Sequence, residues 1–159
     1  MFHVKQYLNL LNSWNKTHRI IGSNADDLFN DCVLALKNSQ LPQCENIIDL
    51  GAGSGIVGFS FLSLYPNAHV TFVEPLHKKV SFLNFVKSEL KLSNIKIIAG
   101  KIEDVSRETN LWNDNEPVVL TRAFSGNKSL EQTMLNLGYK WVFNYIVKPQ
   151  KVYKRVILK

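Results

Sequence analysis

At 159 residues, 45% apolar and 20% charged, the chain has the composition of one globular domain, able to bury roughly two-thirds of its unfolded surface. No apolar stretch approaches the roughly 20 residues of a membrane span, the N-terminus lacks a secretory pattern, and Cys32 and Cys44 alone are too few for a disulfide framework or a metal site of their own. The expectation is a cytoplasmic, metal-free protein with reduced thiols, monomeric by default, whose net charge of +6 suits a polyanionic partner.

Val4, Tyr7, Leu8, Leu11 and Trp14 recur at helical spacing, so the leading segment reads as an amphipathic helix lying on the domain like a lid. Asn15-Lys16-Thr17-His18-Arg19 interrupts that pattern and reads as a loop, although polar and basic residues beside Trp14 can also stack and hold a nucleic-acid strand. A second helix is expected near Asn24, with Asp26 and Asp27 in its positively polarised first turn and Leu28, Cys32, Ala35 and Leu36 turned inward. Leu41-Pro42 ends it. Residues 1–40 then form a helical cap and 45–159 an α/β core within one domain.

The core opens on Ile47-Ile48-Asp49-Leu50-Gly51-Ala52-Gly53-Ser54-Gly55. A short apolar run ending in an acid, then glycines at alternate positions, reads as a buried parallel strand that breaks into a tight loop and starts a helix. Gly51, Gly53 and Gly55 let a ligand approach the backbone closely. Gly53 to Gly58 also fits the dinucleotide spacing G-x-G-x-x-G, but a dinucleotide sets its pyrophosphate on the helix N-terminus, where Asp49 is an unwelcome neighbour. S-adenosylmethionine (SAM) carries a sulfonium and an ammonium and no phosphate, so the charge of Asp49 favours SAM. The next strand, 69–73, ends in Glu74, placed to accept hydrogen bonds from the ribose hydroxyls of an adenosine. Either cofactor class has a use for that acid.

A helix over about 77–91 and a strand over 95–98 follow, and this βα alternation predicts a parallel sheet. Val80, Leu83, Val86 and Leu90 face the sheet, whereas Lys78, Lys79, Lys87 and Lys91 read as solvated. Gly100-Lys101-Ile102-Glu103-Asp104 stands where such a sheet meets an adenine ring, with Ile102 against the ring face and the Ile102 and Glu103 backbone at its edge; an exposed turn is the alternative. The strand Pro117–Phe124 delivers Arg122 to the ligand edge. A helix over about 128–137 and an antiparallel hairpin, 140–147 with 152–158, complete the pattern. Beyond Glu131 the chain has no acid but carries Lys140, Lys148, Lys151, Lys154, Arg155 and Lys159, a tail attractive to a polyanion.

These stretches together resemble the glucose-inhibited division protein B family, the RsmG methyltransferases, which methylate N7 of a guanosine in bacterial 16S (small-subunit) ribosomal RNA. The carriers are Trp14-Asn15-Lys16-Thr17, Asp49 to Gly55, Glu74-Pro75 with Lys78-Lys79-Val80-Ser81-Phe82-Leu83, Leu90 to Ile95, and Thr121-Arg122-Ala123-Phe124. The resemblance implies a Rossmann-like class I SAM-dependent methyltransferase of about six strands, mostly parallel. It implies SAM contacts at Gly51, Ile56, Ile102, Glu103 and Arg122, with Arg122 also beside the target base or its phosphate as the residue at the reaction. The substrate implied is small-subunit rRNA or the ribosomal particle. Three departures stand out. Val57 replaces a usual proline, Cys32, Ala35 and Leu36 stand nearest a usual histidine and Asp-Ser pair, and a strand-helix unit before the terminal hairpin is missing, unless the strand near Lys140 is the fifth. A relative that binds SAM or RNA without catalysis, and a nucleotide-dependent oxidoreductase, are the alternatives.

Overall fold

Strand β1, Asn46–Leu50, lies in the middle of a six-stranded sheet and is buried from Ile47 onward. The computed structural model describes residues 2–39, 41, 44–102, 104 and 118–122, and the backbone of 141–146 and 152–157. The elements in chain order are α1 (Val4–His18), α2 (Ala25–Asn38), β1, α3 (Ile56–Leu64), β2 (His69–Glu74), α4 (His77–Glu89), β3 (Ile95–Ala99), β4 (Val118–Arg122), β5 (Trp141–Ile146) and β6 (Val152–Ile157). The sheet order is β3-β2-β1-β4-β5-β6. All pairs are parallel except β5 with β6, as the alternation and the terminal hairpin predict. The strand near Lys140 is therefore the fifth, seated directly beside β4.

This order creates a switch point. From β1 the chain winds outward through β2 and β3, then returns to β1's other side with β4. Loops leaving the carboxyl ends of strands diverge there, which opens a crevice for a ligand. Register puts Leu50, Val73 and Thr121 side by side, so Gly51, Glu74 and Arg122, one residue on, all emerge at the same edge.

The cap helices share the core of the sheet. Tyr7 and Leu11 of α1 and Phe29, Cys32, Ala35 and Leu36 of α2 pack in one buried cluster with α3, Ile47 and Leu120. Helix α3 is buried from Ile56 through Leu62, as expected of a helix apolar on every side. Gly58 makes its packing possible, since a Cβ there would lie 2.3 Å from Phe72 Cε1.

Helix α1 corrects one expectation. Asn15 to His18 are helical rather than a loop. The helix ends at Arg19, left-handed at φ 47°, and Asn15 closes the turn: its Oδ1 accepts from the Ile21 N–H at 2.9 Å and its Nδ2 donates to the Ile21 carbonyl at 3.1 Å. Trp14 packs against Phe82 and Phe85 and stacks with His18, so its ring is engaged within the protein. In α2 the expectation holds, with Asn24 Oδ1 accepting from the Asp27 N–H at 3.0 Å as N-cap. In α4 the most buried positions are Phe82, Leu83 and Val86, while Val80 is only half-buried.

Candidate functional site

The glycine loop is fixed from four directions. Its first amides, Gly51 and Ala52, both donate to the Val73 carbonyl of β2, at 2.9 and 3.1 Å. Glu74 Oε2 accepts from the Gly53 N–H at 2.7 Å, and its Oε1 accepts from the Leu76 N–H at 2.9 Å. Asp49 Oδ2 accepts from the Gly58 N–H at 2.8 Å in the first turn of α3. From the cap, the Tyr7 hydroxyl donates to the Ser54 carbonyl at 3.0 Å. The backbone conformation depends on glycine: φ is 69° at Gly51, 61° at Gly53 and 83° at Gly55, a region that side chains with a Cβ avoid. At Gly55 a Cβ would also meet Phe59 and Leu83 at 2.7–2.8 Å. At Gly53 a Cβ would make only an ordinary contact, 3.9 Å from the Gly51 carbonyl oxygen, so there φ alone selects glycine.

The two acids do different work. Asp49 is 1% exposed, and burial pushes its carboxyl from 3.8 up to about 7, against the Gly58 N–H, which lowers it, while Glu74 raises it further. Its carboxylate faces the amino end of α3, where a negative group complements the unpaired amides and the dipole. Gly55, the N-cap, has no side chain to serve them. Glu74, 3% exposed, instead clasps the loop to the start of α4. These two hydrogen bonds use about half of an ionised carboxylate's acceptor positions.

Beside the loop lies a cleft of about 170 Å³, lined by Leu50, Gly51, Val73, Pro75, Gly100, Lys101 and Ile102. Of the residues singled out in the sequence, Gly51 and Ile102 line it, and Gly53 and Gly55 shape the loop above it. Ile56 is buried as the first residue of α3 and does not line it. Glu103 lies outside the described residues, as do Ala123, Phe124, the helix expected over 128–137 and the side chains of the basic tail.

Arg122, half-buried at the end of β4, donates from Nη1 to Cys32 Sγ at 3.9 Å. The thiol is pushed up to about 11 by burial, with the guanidinium pulling the other way. Cys32 thus fills a place where the departure from the family pattern bears on the site. Tyr7 escaped the sequence reading, which saw it only as part of a helical stripe. Its hydroxyl was the available signal, since a buried tyrosine normally finds a partner for that group; burial pushes its pKa well above 10. Among the described residues no three His, Cys, Asp or Glu side chains converge to hold a metal, and no helix is long and apolar enough to cross a membrane.

Known proteins place this architecture. Solved structures with the same fold include a putative caffeoyl-CoA O-methyltransferase from Staphylococcus aureus, with a TM-score of 0.62 and 17% identity over 86% of this chain and 65% of that one. A precorrin-6y C5,15-methyltransferase from Geobacter metallireducens aligns with a TM-score of 0.57 and 15% identity, over 84% and 68% of the two chains. The fold is the Rossmann-like α/β fold of class I methyltransferases. Among curated sequences, the ribosomal RNA small subunit methyltransferase G of Clostridium botulinum strain Okra is 34% identical over 107 residues, 64% of this chain and 45% of that protein. That of strain Eklund 17B is 30% identical over 134 residues, 81% and 56%. The chain spans about half the length of the curated relatives it matches. The family model described as GidB, rRNA small subunit methyltransferase G, matches residues 2–154. With a family match running through the cap, the glycine loop and the strand that carries Arg122, this chain belongs to the GidB, rRNA small subunit methyltransferase G, family.

Proposed function

We propose that this chain binds SAM and directs methyl transfer to N7 of a guanosine in 16S (small-subunit) ribosomal RNA, working as one domain in the cytoplasm. The observation that carries this reading is the glycine loop held between two buried acids at adjacent strand ends, above a cleft at the edge where Arg122 emerges. The residues present fit the cofactor. Gly51 is exposed beside the cleft, Gly53 meets nothing closer than the Gly51 carbonyl oxygen at 3.9 Å where a Cβ would stand, and Glu74 retains acceptor positions for ribose hydroxyls. A dinucleotide fits poorly, because Asp49, held against the first turn of α3, opposes a pyrophosphate at this loop.

When bound, SAM supplies an electrophilic methyl group on a sulfonium. Guanine N7 has an in-plane lone pair and no proton, so the chain needs no general base. Its task is alignment, which in favourable intramolecular cases contributes about 7–11 kcal/mol. In this reading Gly51 and Ile102 border the nucleoside, with Ile56 and Glu103 joining them as the family likeness implies, and Glu74 holds the ribose. Asp49 lends its negative charge from behind the loop rather than by contact. The base becomes cationic as it is methylated, so Arg122 belongs on a phosphate, the methionine carboxylate or guanine O6, away from N7.

The test is transfer of labelled methyl from SAM to small ribosomal subunits purified from a strain lacking this protein, followed by mapping of the modified base. N7-methylguanosine at one position, lost with Arg122→Ala, is the expected result. SAM binding without transfer would make the chain a cofactor-binding relative and refute the catalytic reading.

A further inference from the structure

The cleft continues into a basic surface. Pro75 lines the cleft, Leu76 follows with 50% of its surface exposed, and His77, Lys78 and Lys79 open α4. Helix α1 ends at the same place. Trp14 packs on Phe82 and Phe85 with ring centroids at 5.6 and 5.1 Å, and Lys78 Nζ lies 3.5 Å from the His18 carbonyl one turn further on. The two helices therefore run antiparallel here, and Arg19 stands near the first turn of α4. His18, Arg19, His77 and Lys78 are exposed and Lys79 is half-exposed.

Among the described residues nothing balances this charge. Helix α1 contains no acid, and the only one in α4 is Glu89, at its far end. Glu74 is buried, Asp26 is within reach of Asn12 on α1 at 3.5 Å, and Asp104 follows Lys101, a lining residue of the cleft, in the segment after β3. Among the described residues no carboxylate pairs with Arg19, Lys78 or Lys79. Unpaired like charges held together repel one another, and an anion relieves that repulsion. An exposed leucine between the cations and the cleft gives the surface an apolar step suited to a sugar or base.

We propose that the adjoining ends of α1 and α4 clamp the phosphate backbone of the RNA strand beside the target nucleotide. Arg19, Lys78 and Lys79 take the phosphates, and Leu76 stands where the strand turns toward the cleft. This rests on the reading of the chain as an RNA methyltransferase. It also moves the RNA contact from the Trp14 ring, which is engaged by His18, Phe82 and Phe85, to the charged residues around it.

The experiment measures binding of a single-stranded rRNA fragment, and of small ribosomal subunits, across a salt series. Each phosphate contact on a single strand contributes about 0.7 to the slope of log affinity against log salt. The triple variant Arg19→Ala, Lys78→Ala, Lys79→Ala should flatten that slope by about 2 and weaken binding roughly tenfold or more at physiological salt, with SAM affinity unchanged. A control removing three other lysines, Lys37→Ala, Lys87→Ala and Lys96→Ala, should change the slope far less. Equal slopes in variant and wild type, or equal losses in variant and control, would overturn the clamp. The single variants Lys78→Ala and Lys79→Ala, each worth about 0.7 in slope, decide the matter if the triple variant does not fold. If the wild-type chain binds no RNA, the methyltransferase reading fails along with the clamp; if wild type binds and the variants match it, only the clamp fails.

Discussion

Replacing Asp49 by asparagine separates the structural role of this acid from its charge. Asparagine keeps a carbonyl oxygen for the Gly58 N–H, now 2.8 Å from Asp49 Oδ2, and removes the titration. In the unfolded chain Asp49 ionises near 3.8; in the folded protein burial delays this to about 7. Below about pH 3 the carboxyl is protonated in both states. Between those values the folded state binds the extra proton, so stability falls as pH rises, by at most about 1.4 kcal/mol per pH unit and about 4 kcal/mol in all. From pH 5 to 7 the wild type should lose roughly 2–3 kcal/mol relative to Asp49→Asn, a difference of about 5–10 °C in melting temperature. Thermal or urea unfolding of both proteins across pH 5–8 reads this directly, because every other titrating group cancels in the comparison. Melting curves that stay parallel across that range would falsify the assignment of a strained, buried carboxyl. Cofactor binding offers a second readout: if the Asp49 charge supports a sulfonium, SAM affinity in the wild type should increase as pH passes 7 and stay level in the variant.

Two further substitutions probe the loop's supports. Tyr7→Phe keeps the ring among Phe29, Phe59 and Phe82 but leaves the Ser54 carbonyl without its donor; it should cost about 1–3 kcal/mol in denaturant unfolding and raise KM for SAM while leaving KM for RNA unchanged. Gly58→Ala sets a helix-propensity gain of about 1 kcal/mol against a Cβ at 2.3 and 2.7 Å from the fully buried Phe72 ring and 2.9 Å from Val70. The overpacking cost of about 1–3 kcal/mol or more should prevail, and a net stabilisation in the same assay would show that the β2–α3 packing is looser than described.

What the sequence disclosed was set by local chemistry. Strands β1 and β2 are short apolar runs closed by an acid, and three glycines at alternate positions mark the loop, so these elements follow from neighbours in the chain. The end of α1 was hidden because Asn15 is satisfied by Ile21, a turn whose partner the helical pattern does not reveal. The destination of Asp49 was hidden for a similar reason: its carboxylate meets an amide nine residues away, and only the direction in which α3 leaves the loop brings them together. Tyr7 reaches a carbonyl 47 residues further on, beyond any periodicity in the sequence. The contact of Arg122 with Cys32, 90 residues apart, belongs to the same class.

The occupied amides of the glycine loop have a consequence for timing. Glycine is the residue with the most backbone freedom to lose, and a loop left slack in the free protein would have to order itself each time a ligand arrived. Here the amides of Gly51, Ala52, Gly53 and Gly58 already have acceptors within the protein, so that ordering happens once, when the chain folds. The cavity meets its ligand preshaped, and little affinity is spent on rearrangement at the moment of encounter.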